Sequence, residues 1–247
     1  MRNQLFAVSL VFGCVSTNPE TSSLRDRFPK QAGVVLENPV GLRATEHGFA
    51  PALDVGDANL TLSLPDQAED PVRFRLGGGF EITMRELGAA GPGSIEDHAV
   101  AYPRTGGTSF WSVAEHGYEE WLLLGADAVR HGLPVATWEI EGGALRQVDE
   151  AIEIVDDTGA VRLNITAPMA YRADGEQVAA RMQANGSRAE LLADAEGEDL
   201  LIDPLIFLPG GGTSSSSSSC CLDLHSLKLT PLGCQPLDPL HLVACGH

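Results

Sequence analysis

Lysine is almost missing from this chain: Lys30 and Lys228 are the only two, and every other base is an arginine. Acids outnumber bases by 34 to 16, which leaves a formal net charge of −18. Nucleic-acid binding needs clustered Lys and Arg to neutralise phosphates, so this balance excludes nucleic acid as a partner. Acidity of this kind is a solubility feature, with cation binding as the alternative. No apolar run approaches the ~20 residues that span a bilayer, which excludes a transmembrane helix.

Catalytic signatures are also lacking. There is no Gly-x-Ser-x-Gly elbow and no His-Glu-x-x-His motif. Gly77-Gly78-Gly79 is not followed by a helical pattern, so it reads as a turn or bulge and not as a phosphate cradle. Asp97-His98 and Glu115-His116 are acid–base neighbours, but adjacent strand residues face opposite ways and neither pair forms a natural dyad. His47 has no local partner. Glu119-Glu120 and Asp156-Asp157 are carboxylate pairs of a kind too common in an acidic chain to mark a glycosidase. Trp111, Trp121 and Trp138 read as core residues, with a sugar-binding face as the alternative. The residues therefore predict no catalytic site, no metal site in the body and no cofactor.

What is present favours a β-rich protein. With 247 residues, the chain suffices for one large domain or two small ones. A body of that size buries roughly 70% of its unfolded surface without needing disulfides. Its 27 glycines and 15 prolines suit many short elements joined by tight turns. The dominant period is two: Asn59–Leu64 alternates polar residues with leucines, and Val72–Leu76, Phe80–Met84, Thr137–Glu141, Ala151–Val155 and Val161–Ile165 repeat the pattern. Glu119–Leu124 lies between strands and reads as a buried strand, and Ala126–Arg130 as one helical turn. Asp157-Thr158-Gly159, Asp174-Gly175 and Asn185-Gly186 supply turns. These features predict an all-β fold, an antiparallel β-sandwich, single and large or two stacked.

The N-terminus has the order of an export signal. Arg2 provides the positive start, Leu5–Phe12 an apolar run, and Gly13-Cys14 a small residue ahead of a cysteine. Val11-Phe12-Gly13-Cys14 resembles the lipobox of bacterial lipoproteins, although Phe12 stands where that pattern prefers a smaller residue. The resemblance implies that Cys14 is diacylated and becomes the mature N-terminus. Such an anchor is stable because each buried CH₂ contributes about 0.8 kcal/mol. A cleaved secretory signal, or a first strand with an incidental cysteine, is the other reading.

The predicted organisation is a signal over 1–13, a polar leader over 14–32 and a β-sandwich body over 33–209. A Gly/Ser linker follows over 210–219 and a tail over 220–247. The tail holds Cys220, Cys221, Cys234 and Cys245 with His225, His241 and His247. An even set of four cysteines in an exported chain predicts two disulfides, with three pairings open. A Zn²⁺ or Cu⁺ site is the alternative, without Cys-x₂-Cys spacing to support it. An unstructured tail or a reading-frame artefact also stays open.

A second resemblance spans roughly 37–207. Ala99-Val100-Ala101-Tyr102-Pro103, Gly106-Gly107-Thr108 and Tyr118–Leu124 are followed by Asp156–Leu163, Ala167-Pro168 and Ala173-Asp174-Gly175. Leu200-Leu201-Ile202-Asp203-Pro204 closes the series and is its most specific piece. This looks like the N-terminal β-rich module of large exported bacterial proteins, notably myxobacterial, that precedes Kelch-like, FG-GAP-like or RHS/YD repeats. The family usually continues into long repeats, where this chain has a serine linker and a short tail. The resemblance implies a structural or presentation role at the cell surface and supplies no catalytic residue. Together these readings predict a non-enzymatic lipoprotein of the outer membrane or cell surface, held by its lipid anchor. An envelope protein or surface glycan is its expected partner. An exported hydrolase or carbohydrate-binding protein, with a site built from distant residues, is the alternative.

Overall fold

The structure, a computed structural model, describes residues 24–53, 60–115, 117–166 and 169–209. Cys14, Cys220, Cys221, Cys234 and Cys245, on which the anchor and disulfide expectations rest, lie outside the described residues. Two short helices come first, α1 (Leu24–Arg27) and α2 (Pro29–Leu36). The strands that follow are β1 (Leu42–Thr45), β2 (Gly48–Pro51), β3 (Leu60–Ser63), β4 (Val72–Leu76), β5 (Glu81–Glu86), β6 (Ser94–Glu96), β7 (Ala99–Arg104), β8 (Gly107–Ala114) and β9 (Gly117–Leu124). Then come β10 (Ala136–Glu141), β11 (Ala144–Val148), β12 (Ala151–Val155), β13 (Val161–Thr166), β14 (Ala170–Arg172) and β15 (Gln177–Val178). The last are β16 (Ala180–Asn185), β17 (Arg188–Ala193), β18 (Leu200–Ile202) and β19 (Leu205–Phe207).

The fold is all-β and sandwich-like, with every strand pairing antiparallel. A six-stranded sheet runs β16-β17-β10-β5-β4-β3, and an eleven-stranded sheet runs β11-β12-β13-β19-β9-β18-β14-β15, extended from β9 through β8 and β7 to β6. Period-two alternation explains the core. Leu60 and Leu62 of β3, Val72, Phe74 and Leu76 of β4, and Ile82 and Met84 of β5 line the inner face of the smaller sheet. They meet Trp111, Tyr118, Leu122, Leu124, Ile154 and Leu163 of the larger one, as two half-apolar sheets must when stacked. One edge is closed by a side chain. Gln147 of β11 donates its amide to Met182 O (3.0 Å) and accepts from Ala184 N (2.7 Å), acting as a peptide unit between β11 and β16. This covers edges that would otherwise present unpaired backbone groups.

The helices correct the polar leader expected over 14–32. From Leu24 on, the segment is helical and belongs to the folded body. Leu24, Phe28, Ala32, Val35 and Leu36 recur at helical spacing and are all buried. They cover the outer face of the larger sheet, against Ala99, Ala101, Phe110, Trp121, Leu123 and Leu201. Pro29 opens α2 at a position whose N–H would have no intrahelical partner. Arg25 pairs with Asp97 (2.8 Å) and Glu37 (3.1 Å), while Arg27 reaches Asp199 and donates to Leu124 O (2.7 Å). Among the described residues no helix is long and apolar enough to cross a membrane.

The hairpin of β1 and β2 packs its turn against the chain leaving β3. Gly48 sits at φ +126°, and a Cβ there would lie 2.0 Å from Leu64 O, so this close approach demands glycine.

Candidate functional site

The larger sheet forks at Asp203-Pro204. β18 pairs with Leu122–Leu124 of β9, and β19 pairs with Gly117–Glu119 of the same strand. Between them Pro204 has no N–H to give to a ladder, although its carbonyl still accepts from Glu120 N (3.0 Å). On their far sides β18 continues to β14, and β19 continues to β13. Acidic side chains gather on both faces of the sheet at this break, because Glu119 and Glu120 are adjacent on β9 and point opposite ways.

The inner group lies between the two sheets. On the smaller sheet Glu86 of β5 is directly opposite Trp138 of β10, and on the larger one Glu120 of β9 is directly opposite Trp111 of β8. Arg104, at the end of β7, brings its Nε to 2.6 Å from Glu86 Oε1, both side chains being almost fully buried. The pair is close but poorly aligned for a hydrogen bond, and neither atom has a hydrogen-bond partner among the described residues. Ser109 Oγ donates to Glu86 Oε2 (2.6 Å), and Arg104 Nη2 donates to Val135 O (2.9 Å). Glu120 is 1% exposed. Burial, and then the charge of Glu86, push its carboxyl well above the usual carboxylate range, against the opposing pull of Arg104. The Glu86–Arg104 pair thus stands beside a Glu120 carboxyl whose surroundings favour its neutral form. A hollow of about 20 Å³ touches Glu86, Glu120, Trp138, Trp111 and Tyr102.

The outer group lies on the opposite face. Asp203 accepts from Met169 N (3.1 Å), and its carboxyl is pushed up to about 8, first by burial and then by the charge of Glu119. Glu119 accepts from Trp121 Nε1 (3.0 Å) and is itself raised by burial. Tyr171 is raised by burial and by both carboxylates, so the three groups share one environment. Ser112, directly opposite Glu119 on β8, is fully buried.

Near these groups lies an open groove of about 580 Å³ with His47, Asp66, Asp70, Arg73 and Arg75 in its walls. It shares Pro65 and Asp70 with the small inner hollow. Arg73 and Arg75 are both drawn toward Glu81 (3.2 and 3.0 Å), which ties their guanidinium groups to the sheet surface.

The residues singled out in the sequence fall as follows. Trp111, Trp121 and Trp138 are all buried, 2 to 3% exposed, so none forms an exposed sugar platform. Asp97 and His98 do not act together: Asp97 pairs with Arg25, and His98 Nδ1 lies against Asn38 O. His116 is outside the described residues. His47 lines the groove. Asp156 does not pair with its neighbour but anchors a turn, accepting from Thr158 N (2.9 Å) and Ala160 N (3.0 Å). Glu86 and Arg104 are the residues that motif reading does not find, whereas Glu120 and Asp203 stand in the sequence only as part of an acidic pair and of the segment Leu200–Pro204. Among the described residues no group of three or more His, Cys, Asp or Glu side chains is placed to hold a metal ion.

Comparison with protein-family models, with curated proteins and with solved structures found no match to this chain.

Proposed function

We propose that the chain is a non-enzymatic module of a bacterial cell envelope, anchored through lipid on Cys14, whose sandwich presents or contacts a partner at the cell surface. The observation that carries this reading is the separation of acid from access. The strongly perturbed inner carboxyl, Glu120, stands beside a hollow of about 20 Å³, too small for any substrate larger than water. The tryptophans that a glycan would stack on are in the core. The resemblance of the body to surface modules of exported repeat proteins, and of Val11–Cys14 to a lipobox, supports the same reading. The surface carries Arg–Glu pairs on β4, β5, β10 and β17 of the kind that keep an exposed sheet soluble.

Intact cells of a Gram-negative host expressing the full chain provide the test. Protease added outside the cells is expected to digest the wild-type chain, while Cys14→Ser is recovered unacylated in the soluble fraction. A wild-type chain fully protected from external protease would reject surface presentation.

A second reading rests on the groove. Two carboxylates, a histidine and two arginines around about 580 Å³ suit a polar ligand such as a glycan. Binding of oligosaccharides to the purified chain that is lost in Asp70→Asn would favour this reading.

A further inference from the structure

The hollow between the sheets has walls that call for a particular occupant. Its volume of about 20 Å³ exceeds the roughly 10–15 Å³ that one water needs. Besides Glu86 Oε1, which faces Arg104 Nε at 2.6 Å, two polar atoms of its lining residues have no well-aligned hydrogen-bond partner among the described residues, Glu120 Oε2 and Trp138 Nε1. Their residues are 1% and 2% exposed. Leaving such groups unmet at this depth is unfavourable, because each has given up its hydrogen bonds to water. Tyr102, also in the wall, donates its hydroxyl hydrogen to Pro65 O, so the hydroxyl oxygen keeps a lone pair that can accept. One donor and two acceptors around this space match the bonding capacity of water.

We propose that this hollow is a built site for one structural water, accepting from Trp138 Nε1–H and donating to Glu120 Oε2 and the Tyr102 oxygen. The water then joins the two sheets, since Trp138 stands on the smaller and Glu120 and Tyr102 on the larger. Pro65 and Asp70, shared with the open groove, mark its route of exchange with solvent. The polar cluster of the core is thereby completed by a bound molecule, which gives the indole N–H a well-placed acceptor.

Oxygen-17 magnetic relaxation dispersion on the full chain counts long-held internal waters. Trp138→Phe removes the donor and is expected to lower the dispersion amplitude by the equivalent of one water. Glu120→Gln keeps a carbonyl acceptor and is expected to retain it. An unchanged amplitude in Trp138→Phe overturns the proposal. Should that variant fail to fold by circular dichroism, a crystal structure of the wild-type chain that resolves waters decides. A peak within hydrogen-bonding distance of both Glu120 and Trp138 Nε1 supports the site. A hollow without density, or one closed by a turned indole, rejects it.

Discussion

Replacing Glu120 by glutamine should change how stability depends on pH more than it changes stability itself. Glu120 is buried on β9, and its carboxyl is raised well above the usual carboxylate range by burial and by the charge of Glu86. In the unfolded chain a glutamate titrates near ~4.3. Below that value the group is protonated in both states and costs nothing. As pH rises, the unfolded state loses the proton first, so stability falls until the folded-state pKa is passed. The slope contributed by one such group reaches about 1.4 kcal/mol per pH unit. Glu120→Gln keeps the size and a carbonyl acceptor while removing the titration. The variant should therefore match the wild type within about 1 kcal/mol near pH 4 and gain on it steadily above pH 5. Urea unfolding at half-unit steps from pH 4 to 8, with equal m-values, reads the difference directly. A wild-type-minus-variant difference that stays flat across this range would mean that Glu120 titrates alike in both states, and would refute the buried neutral acid.

Three further outcomes follow from the same structure. Arg104→Met leaves the Glu86 carboxylate buried without its cation, and urea unfolding at pH 7 should show a loss of about 3–5 kcal/mol; a loss below 1 kcal/mol would mean that Glu86 is solvated. Phe28→Ala, at a fully buried position of the helical layer, should cost about 3–5 kcal/mol. Hydrogen exchange should then speed up first across Leu24–Leu36, and unchanged exchange there would show that the helices do not depend on this contact. Asp203→Asn removes a carboxyl raised to about 8, so its advantage over the wild type should grow between about pH 4 and pH 8 and level off above. Fluorescence-monitored unfolding across that window tests it, and a pH-independent difference counts against the cluster with Glu119.

Much of the sandwich was legible because period two is a local property. Leu60 and Leu62, or Ile152 and Ile154, mark a buried face without knowledge of what covers it. Position, not period, places Glu119–Leu124 on a strand: an apolar run between strands buries both its faces when sheet and helix cover it. The helical layer escaped notice because Arg25, Asp26, Arg27, Lys30 and Gln31 interrupt a stripe of only about one apolar residue per turn, so the segment resembles a linker in composition.

The inner acids left a fainter trace. Glu86 follows Ile82 and Met84 in phase, Glu120 sits between Tyr118 and Leu122 in phase, and Arg104 follows Val100 and Tyr102. A charge in phase with a buried face is a signal that strand pattern can carry. That the three meet across two sheets depends on long-range pairing, which no local pattern contains. Asp203-Pro204, the most specific piece of the resemblance, lies at the fork of the sheet, where proline interrupts the ladder and an acid fills the break.

The central claim, an envelope module held by lipid on Cys14, is tested most directly by the intact mass of the full chain purified from the membrane fraction of a bacterial host. The account predicts a chain that begins at Cys14 and carries acyl groups. A chain recovered in the soluble fraction without acyl mass, beginning at any other residue, would contradict it.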